Sequence, residues 1–270
     1  MKVIHWLSAG ALLASVGTAP AVAQETLVAP GPQGDLAGTL IAPAEGQPLV
    51  LIIPGSGPTD RDGNNPLGVT AALYRLLADA LAERGIGTLR IDKRGMFASK
   101  AAVADANAVT IADYVTDTAS WVGAARTATG AECLWLLGHS EGGIVALAAA
   151  QEVPHLCGII LVAVPGCPLA TVLREQLRAN PANAPLLDEA EAAIATLETG
   201  ERVDVTPLHP ALQSLFAPAV QGFLIDLMAQ DPAALAKQTD LLILIVHGGT
   251  DLQVTATDAQ MLRTAAPQAK

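Results

Sequence analysis

A mostly parallel, doubly wound α/β sheet carrying an inserted block of helices is the fold class that this sequence predicts. Three observations lead there. Short continuous apolar runs recur ("PLVLIIPG", "CLWLLG", "GIILVAV", "LLILIVHGG"), as expected of strands buried on both faces. Stretches with apolar residues at helical spacing alternate with them, the rhythm of parallel strands joined by crossover helices. From Pro165 to about Thr239 that rhythm stops, and a strandless stretch broken by Pro181, Pro185, Pro207, Pro210 and Pro218 takes its place.

Taken in order, the first 23 residues stand apart. Lys2 opens a short basic region, Val3 to Val16 is mostly apolar, and "AVA" at Ala21 to Ala23 has the small-x-small pattern of a cleavage site. The segment reads as an export signal cleaved after Ala23, which places the mature chain in a periplasm or outside the cell. A buried N-terminal helix is the alternative. No later segment has the run of about 20 apolar residues that a membrane span needs.

After a Pro/Gly-rich start, "LAGTLIAP" and "PLVLIIPG" read as two strands. Thr70 reads as the N-cap of a helix with Leu73, Leu76, Leu77, Ala80 and Leu81 on one face, stopped by Gly85. "IGTLRID" is the next strand. Thr110 caps a helix running through Tyr114, Thr118, Trp121 and Ala125. A strand at Leu134–Leu137, a helix from Glu141 to Glu152 and the strand "GIILVAV" follow. Residues 24–165 thus form the first part of the core. Residues 166–239 form a cap of three or so helices, and residues 240–270 resume the core with a strand and a helix over Asp258 to Ala266, Met261 and Leu262 being its apolar positions.

Half of the 270 residues are apolar but only 3% are aromatic, so the core must be aliphatic and alanine-rich. A net charge of −11 argues against a nucleic-acid partner, which needs clustered Lys and Arg. Of three cysteines, Cys133 and Cys157 each precede a strand, and those strands should be parallel neighbours about 4.8 Å apart. A Cys133–Cys157 disulfide fits and would contribute about 3 kcal/mol; three buried thiols are the alternative. Nothing in the spacing suggests a metal site.

The stretch that carries chemistry is "LLGHSEGG", residues 136–143. It fits G-x-S-x-G between a strand and a helix, where a sharp turn exposes the hydroxyl of Ser140 as a nucleophile. Gly138, Gly142 and Gly143 leave out side chains where that turn crowds its neighbours. The backbone N–H of Glu141 then faces an oxyanion formed on an attacked carbonyl. A second donor is expected from "IIPGSGPTDRDGN", where Gly55 and Gly57 let the backbone approach a ligand and Ser56 supplies the N–H. Asp60, Arg61 and Asp62 in that loop pair with one another or with substrate. The charged turn "RIDKRGMFAS" is either structural or part of the site. Asp251, on a glycine-rich turn after "LLILIVHGG", is the acid, in the chain order Ser then Asp.

These residues resemble the α/β-hydrolase superfamily, and within it the bacterial esterases marked by a "GSGPTDRDGN" loop, a "D-K-R-G" turn and "GHSEGG". The resemblance runs from about Leu36 to Thr257. It implies an α/β-hydrolase fold with a helical cap, and a Ser–Asp–His triad with Ser140 as nucleophile and Asp251 as acid. It also implies carboxylic-ester substrates and no cofactor. Two departures stand out. "MFAS" occupies a place where relatives commonly carry a second glycine, and no histidine follows Asp251. Of the five histidines, His5 leaves with the signal, His155 lies at the opposite end of the sheet, His139 packs locally, and His247, close to Asp251, orients that loop. His209 sits in the cap and could overhang the site. The chain therefore reads as a C-terminally truncated hydrolase lacking its final strand, with activity orders of magnitude below a full triad. The expected function is a serine carboxylesterase acting on short- to medium-chain esters, a small-molecule substrate being the one partner implied. A thioesterase or serine peptidase of the same fold, or a non-catalytic binding protein on that scaffold, are the alternatives.

Overall fold

The computed structural model describes residues 23–270. The export signal, apart from Ala23, and His5 fall outside the described residues. Seven strands, β1 (Glu25–Pro30), β2 (Asp35–Ile41), β3 (Leu49–Ile53), β4 (Gly87–Ile91), β5 (Leu134–His139), β6 (Leu156–Val162) and β7 (Leu242–Val246), form one sheet in the order β1-β2-β4-β3-β5-β6-β7. β1 and β2 pair antiparallel, β2 joins β4 antiparallel, and β4, β3, β5, β6 and β7 run parallel. Residues 25–30, in the Pro/Gly-rich stretch where no strand was expected, form β1.

Helix α1 (Leu73–Ala82) covers one face and helices α2 (Ile111–Thr129) and α3 (Glu141–Ala149) the other. Alternation along β3 divides the core accordingly. Leu49, Leu51 and Ile53 join the main cluster with Trp121, Val122 and Ile144, while Val50 and Ile52 meet Tyr74 from α1. Thr110 caps α2 through a capping box with Asp113, as its position suggested. Thr70 does not cap α1. The cap residue is Ala72, whose N–H reaches Asn64 Oδ1, and the carbonyl of Asp62 accepts from the N–H groups of Tyr74 and Arg75. The preceding loop thus satisfies the first-turn donors that a Thr70 hydroxyl was expected to meet.

Between β6 and β7 the chain forms α4 (Leu169–Ala179), α5 (Leu187–Glu198), α6 (Pro210–Leu215), α7 (Gln221–Met228) and α8 (Pro232–Gln238), with a short 3-10 turn at Pro181–Leu186. There are five helices rather than three or so, because a proline starts three of the short segments. They enclose their own cluster around Ile194, Leu197, Leu212 and Phe216. Helix α9 (Ala256–Ala265) buries Leu262, whereas Met261, expected to face inward, is largely exposed. The sulfurs of Cys133 and Cys157 are bonded, tying the entry of β5 to that of β6. β7 departs from the doubly buried pattern of the other parallel strands. Leu242, Leu244 and Val246 are exposed on one face, and the backbone of Lys270 exchanges hydrogen bonds with Ile243 and Ile245 on its outer edge.

Candidate active site

Chain order places the site. β3 leads outward to β4, and the chain then crosses back to β5 on the other side of β3. Loops leaving the carboxyl ends of β3 and β5 therefore flank a crevice where the winding reverses, the usual place for a ligand in such sheets. Ile53 stands opposite Gly138 in the parallel register, so the two loops leave side by side.

Ser140 occupies the turn between β5 and α3 with φ 52° and ψ −119°. A serine held in this sparsely populated region is strained, and its surroundings impose the strain. Its N–H is bonded to Val162 O at 2.9 Å and its carbonyl accepts from Gly143. No side chain fits at the neighbouring glycines. A Cβ on Gly142 would strike the carbonyls of Ile53 and Pro54, one on Gly143 the side chain of Val164, and one on Gly138 the backbone of the following helix. The elbow is thus a product of two backbone approaches and one to a side chain.

A Cβ on Gly55 would lie 3.5 Å from the Cβ of Ser140, so the first loop borders that residue. The N–H groups of Ser56 and Glu141 have no acceptor among the described residues. Gly57 turns the loop with φ +67°. The loop's charges are fixed, though not by each other as expected. Arg61 forks onto Asp92 at 2.6 and 3.1 Å, Asp62 pairs with Arg90, and Asp60 accepts from the N–H groups of Asp62 and Asn64. The "RIDKRG" segment is the frame to which the loop is bolted.

Asp251 follows β7 on a turn, its Oδ1 accepting from the N–H groups of Gln253 and Val254 at 2.9 and 3.1 Å. Its second oxygen has no partner among the described residues. Its charge is felt at His139, where burial lowers the imidazole pKa and Asp251 raises it, burial prevailing. His139 is not paired with Ser140. Its Nδ1 lies 2.8 Å from Tyr74 Oη, which also accepts from Gly55 N–H at 3.1 Å. Burial pushes the Tyr74 phenol up to about 12, so it keeps its proton beside the imidazole. The other histidines are spent elsewhere: His209 is exposed and caps α6, and His155 lies before β6. His247 immediately follows β7, its Nε2 buried and without a partner among the described residues.

With this arrangement in view, the chain's relatives can be compared with it. The sequence family described as "serine aminopeptidase, S33" matches residues 67–270. The chain belongs to that family. S33 membership covers the elbow and Asp251, while the Ser56 loop precedes the matched region. Among curated proteins, esterase EstD of Thermotoga maritima is 29% identical over 215 residues, 79% of this chain. The chain spans about half that relative's length (49%). Solved structures similar in fold include a thermophilic esterase from Thermogutta terrifontis (18% identity, TM-score 0.56, 92% of this chain and 88% of that one). An esterase from Exiguobacterium antarcticum is another (16%, TM-score 0.58, 91% and 89%). At these identities they establish the α/β-hydrolase fold.

Sequence reasoning passed over several site residues. Lys93 and the Glu141 carboxylate form a buried ion pair beside Gly55. Tyr74 reaches the loop from α1, and no local signal announces it. Asp258, buried, accepts from Gly166 N–H and from Thr255, so it holds α9 to the segment after β6. The spacing Thr255-x-x-Asp258, a capping-box signature, could have revealed it.

Proposed function

We propose that the chain is a serine carboxylesterase. The observation that carries this reading is the strained Ser140 beside two backbone N–H groups that have no acceptor among the described residues. Ser140 Oγ adds to an ester carbonyl carbon, and the oxygen that gains the electron pair is held by Ser56 and Glu141 N–H. The Ser140 hydroxyl proton passes through water to the alcohol oxygen as its C–O bond breaks, so a neutral alcohol leaves. A second water then adds to the acyl group on Ser140, releasing the carboxylic acid and restoring the hydroxyl. Asp251 offers its free oxygen to orient a base. No imidazole is bonded to Ser140 among the described residues, so turnover relies on the donors and on binding, roughly a thousandfold above water by analogy with triads lacking a member.

The family's description favours a second reading, an aminopeptidase. Such an enzyme needs an acidic group free to meet a substrate ammonium. Asp60, Asp62, Asp92 and Glu141 are each already engaged, which favours a neutral ester. The helices between β6 and β7 serve as a cap that sets acyl length, and residues 1–23 direct export. The test compares p-nitrophenyl butyrate with leucine p-nitroanilide. Slow nitrophenol release that Ser140→Ala abolishes, with no nitroaniline, is expected. The opposite preference would select the peptidase.

A further inference from the structure

We infer that Lys93 is a positioning residue that aims both oxyanion donors at once. The inference rests on the serine-hydrolase reading above. The peptide linking Gly55 to Ser56 is a single rigid plane, so its carbonyl and the Ser56 N–H point in opposite directions. Lys93 Nζ donates to that carbonyl at 2.7 Å and thereby fixes where the Ser56 N–H points. The same ammonium donates to Glu141 Oε1 at 2.9 Å, and Glu141 supplies the second donor through its backbone. The third direction of the ammonium faces the ring of Tyr114, 5.6 Å from its centroid. Lys93 and Glu141 are each 4% exposed, so this is a dry, oriented pair rather than a surface contact.

The pair also solves an electrostatic problem. An unpartnered Glu141 carboxylate would oppose negative charge forming at its own N–H, and Lys93 cancels it. Pulling on the Gly55 carbonyl further polarises the peptide and sharpens Ser56 N–H as a donor. On the other side of the loop, Tyr74 Oη holds Gly55 N–H. Gly55 is therefore clasped at both ends. The cap touches the same cluster, since Phe223 on α7 meets the edge of Tyr114 and Asp226 accepts from Ile111 N–H at the start of α2.

Removing one charge of a buried pair risks unfolding, so the decisive variant is the neutral double Lys93→Met/Glu141→Gln. Two readouts separate the clasp from the reaction. Amide exchange at Gly55 N–H, measured by NMR, should accelerate in the double variant while the β3 amides stay protected. The fluorophosphonate inactivation constant at Ser140 should fall about 100-fold, the lower end of the loss on removing an oxyanion donor, with little change in the reversible binding step. Glu141→Gln alone keeps the Lys93–Gly55 bond and should lose less. A folded double variant with unchanged Gly55 exchange, or with faster exchange but an unchanged inactivation constant, overturns the positioning role. If the unaltered chain is not labelled at Ser140, the nucleophile reading fails, and the clasp still stands or falls on Gly55 exchange.

Discussion

Burial lowers the pKa of His139, whose Nδ1 shares a hydrogen bond with Tyr74 Oη. The consequence for pH has a definite sign. The folded pKa is depressed below the ordinary value of 6.5. The unfolded chain therefore binds this proton first, and the stability His139 contributes is present above pH 6.5 and is lost as pH falls through the folded pKa. Thermal melts between pH 7.5 and 5 should show the midpoint falling with acidity, and His139→Gln should flatten that slope. An equal slope in both would mean that His139 does not control it. At this scale Ser140 was legible because a local pattern encodes its turn. Tyr74 and Lys93 were not, because each acts on Gly55 from a distant segment, 19 and 38 residues away.

Elements were readable where short-range rules govern them. Four parallel strands announced themselves as apolar runs, and Thr110 announced α2. Errors arose where tertiary contacts replaced local signals: Asp62 and Asn64 displace Thr70 as the cap of α1, and β1 lacks an apolar run because most of it faces solvent. The disulfide joins the entries of two neighbouring strands 24 residues apart. Replacing Cys133 and Cys157 with alanine should cost about 3 kcal/mol in denaturant unfolding, the loop entropy of a closure of that size. The remaining thiol, Cys167, is buried and its pKa is pushed up to about 12, so it is a poor nucleophile. One equivalent of thiol should react with Ellman's reagent in denaturant and essentially none in the native chain; prompt native reaction would refute that burial.

Across the whole molecule, order is graded from centre to edge. β3 and β5 are flanked on both sides and covered on both faces, while β7 exposes Leu242, Leu244 and Val246. Hydrogen exchange should be slowest in β3 and β5 and fastest in β7 among the parallel strands, because local opening follows burial. The winding reversal that sets the crevice was implicit in the strand rhythm, but the strand order that places Gly55 against Ser140 was not, since pairing partners carry no local mark. The central claim is that this crevice presents an activated serine, and intact-mass analysis after incubation with a fluorophosphonate tests it most directly. A single adduct mapping to Ser140, absent in Ser140→Ala and suppressed in denaturant, is the expected result. No adduct on the folded chain, or one on another residue, would contradict it.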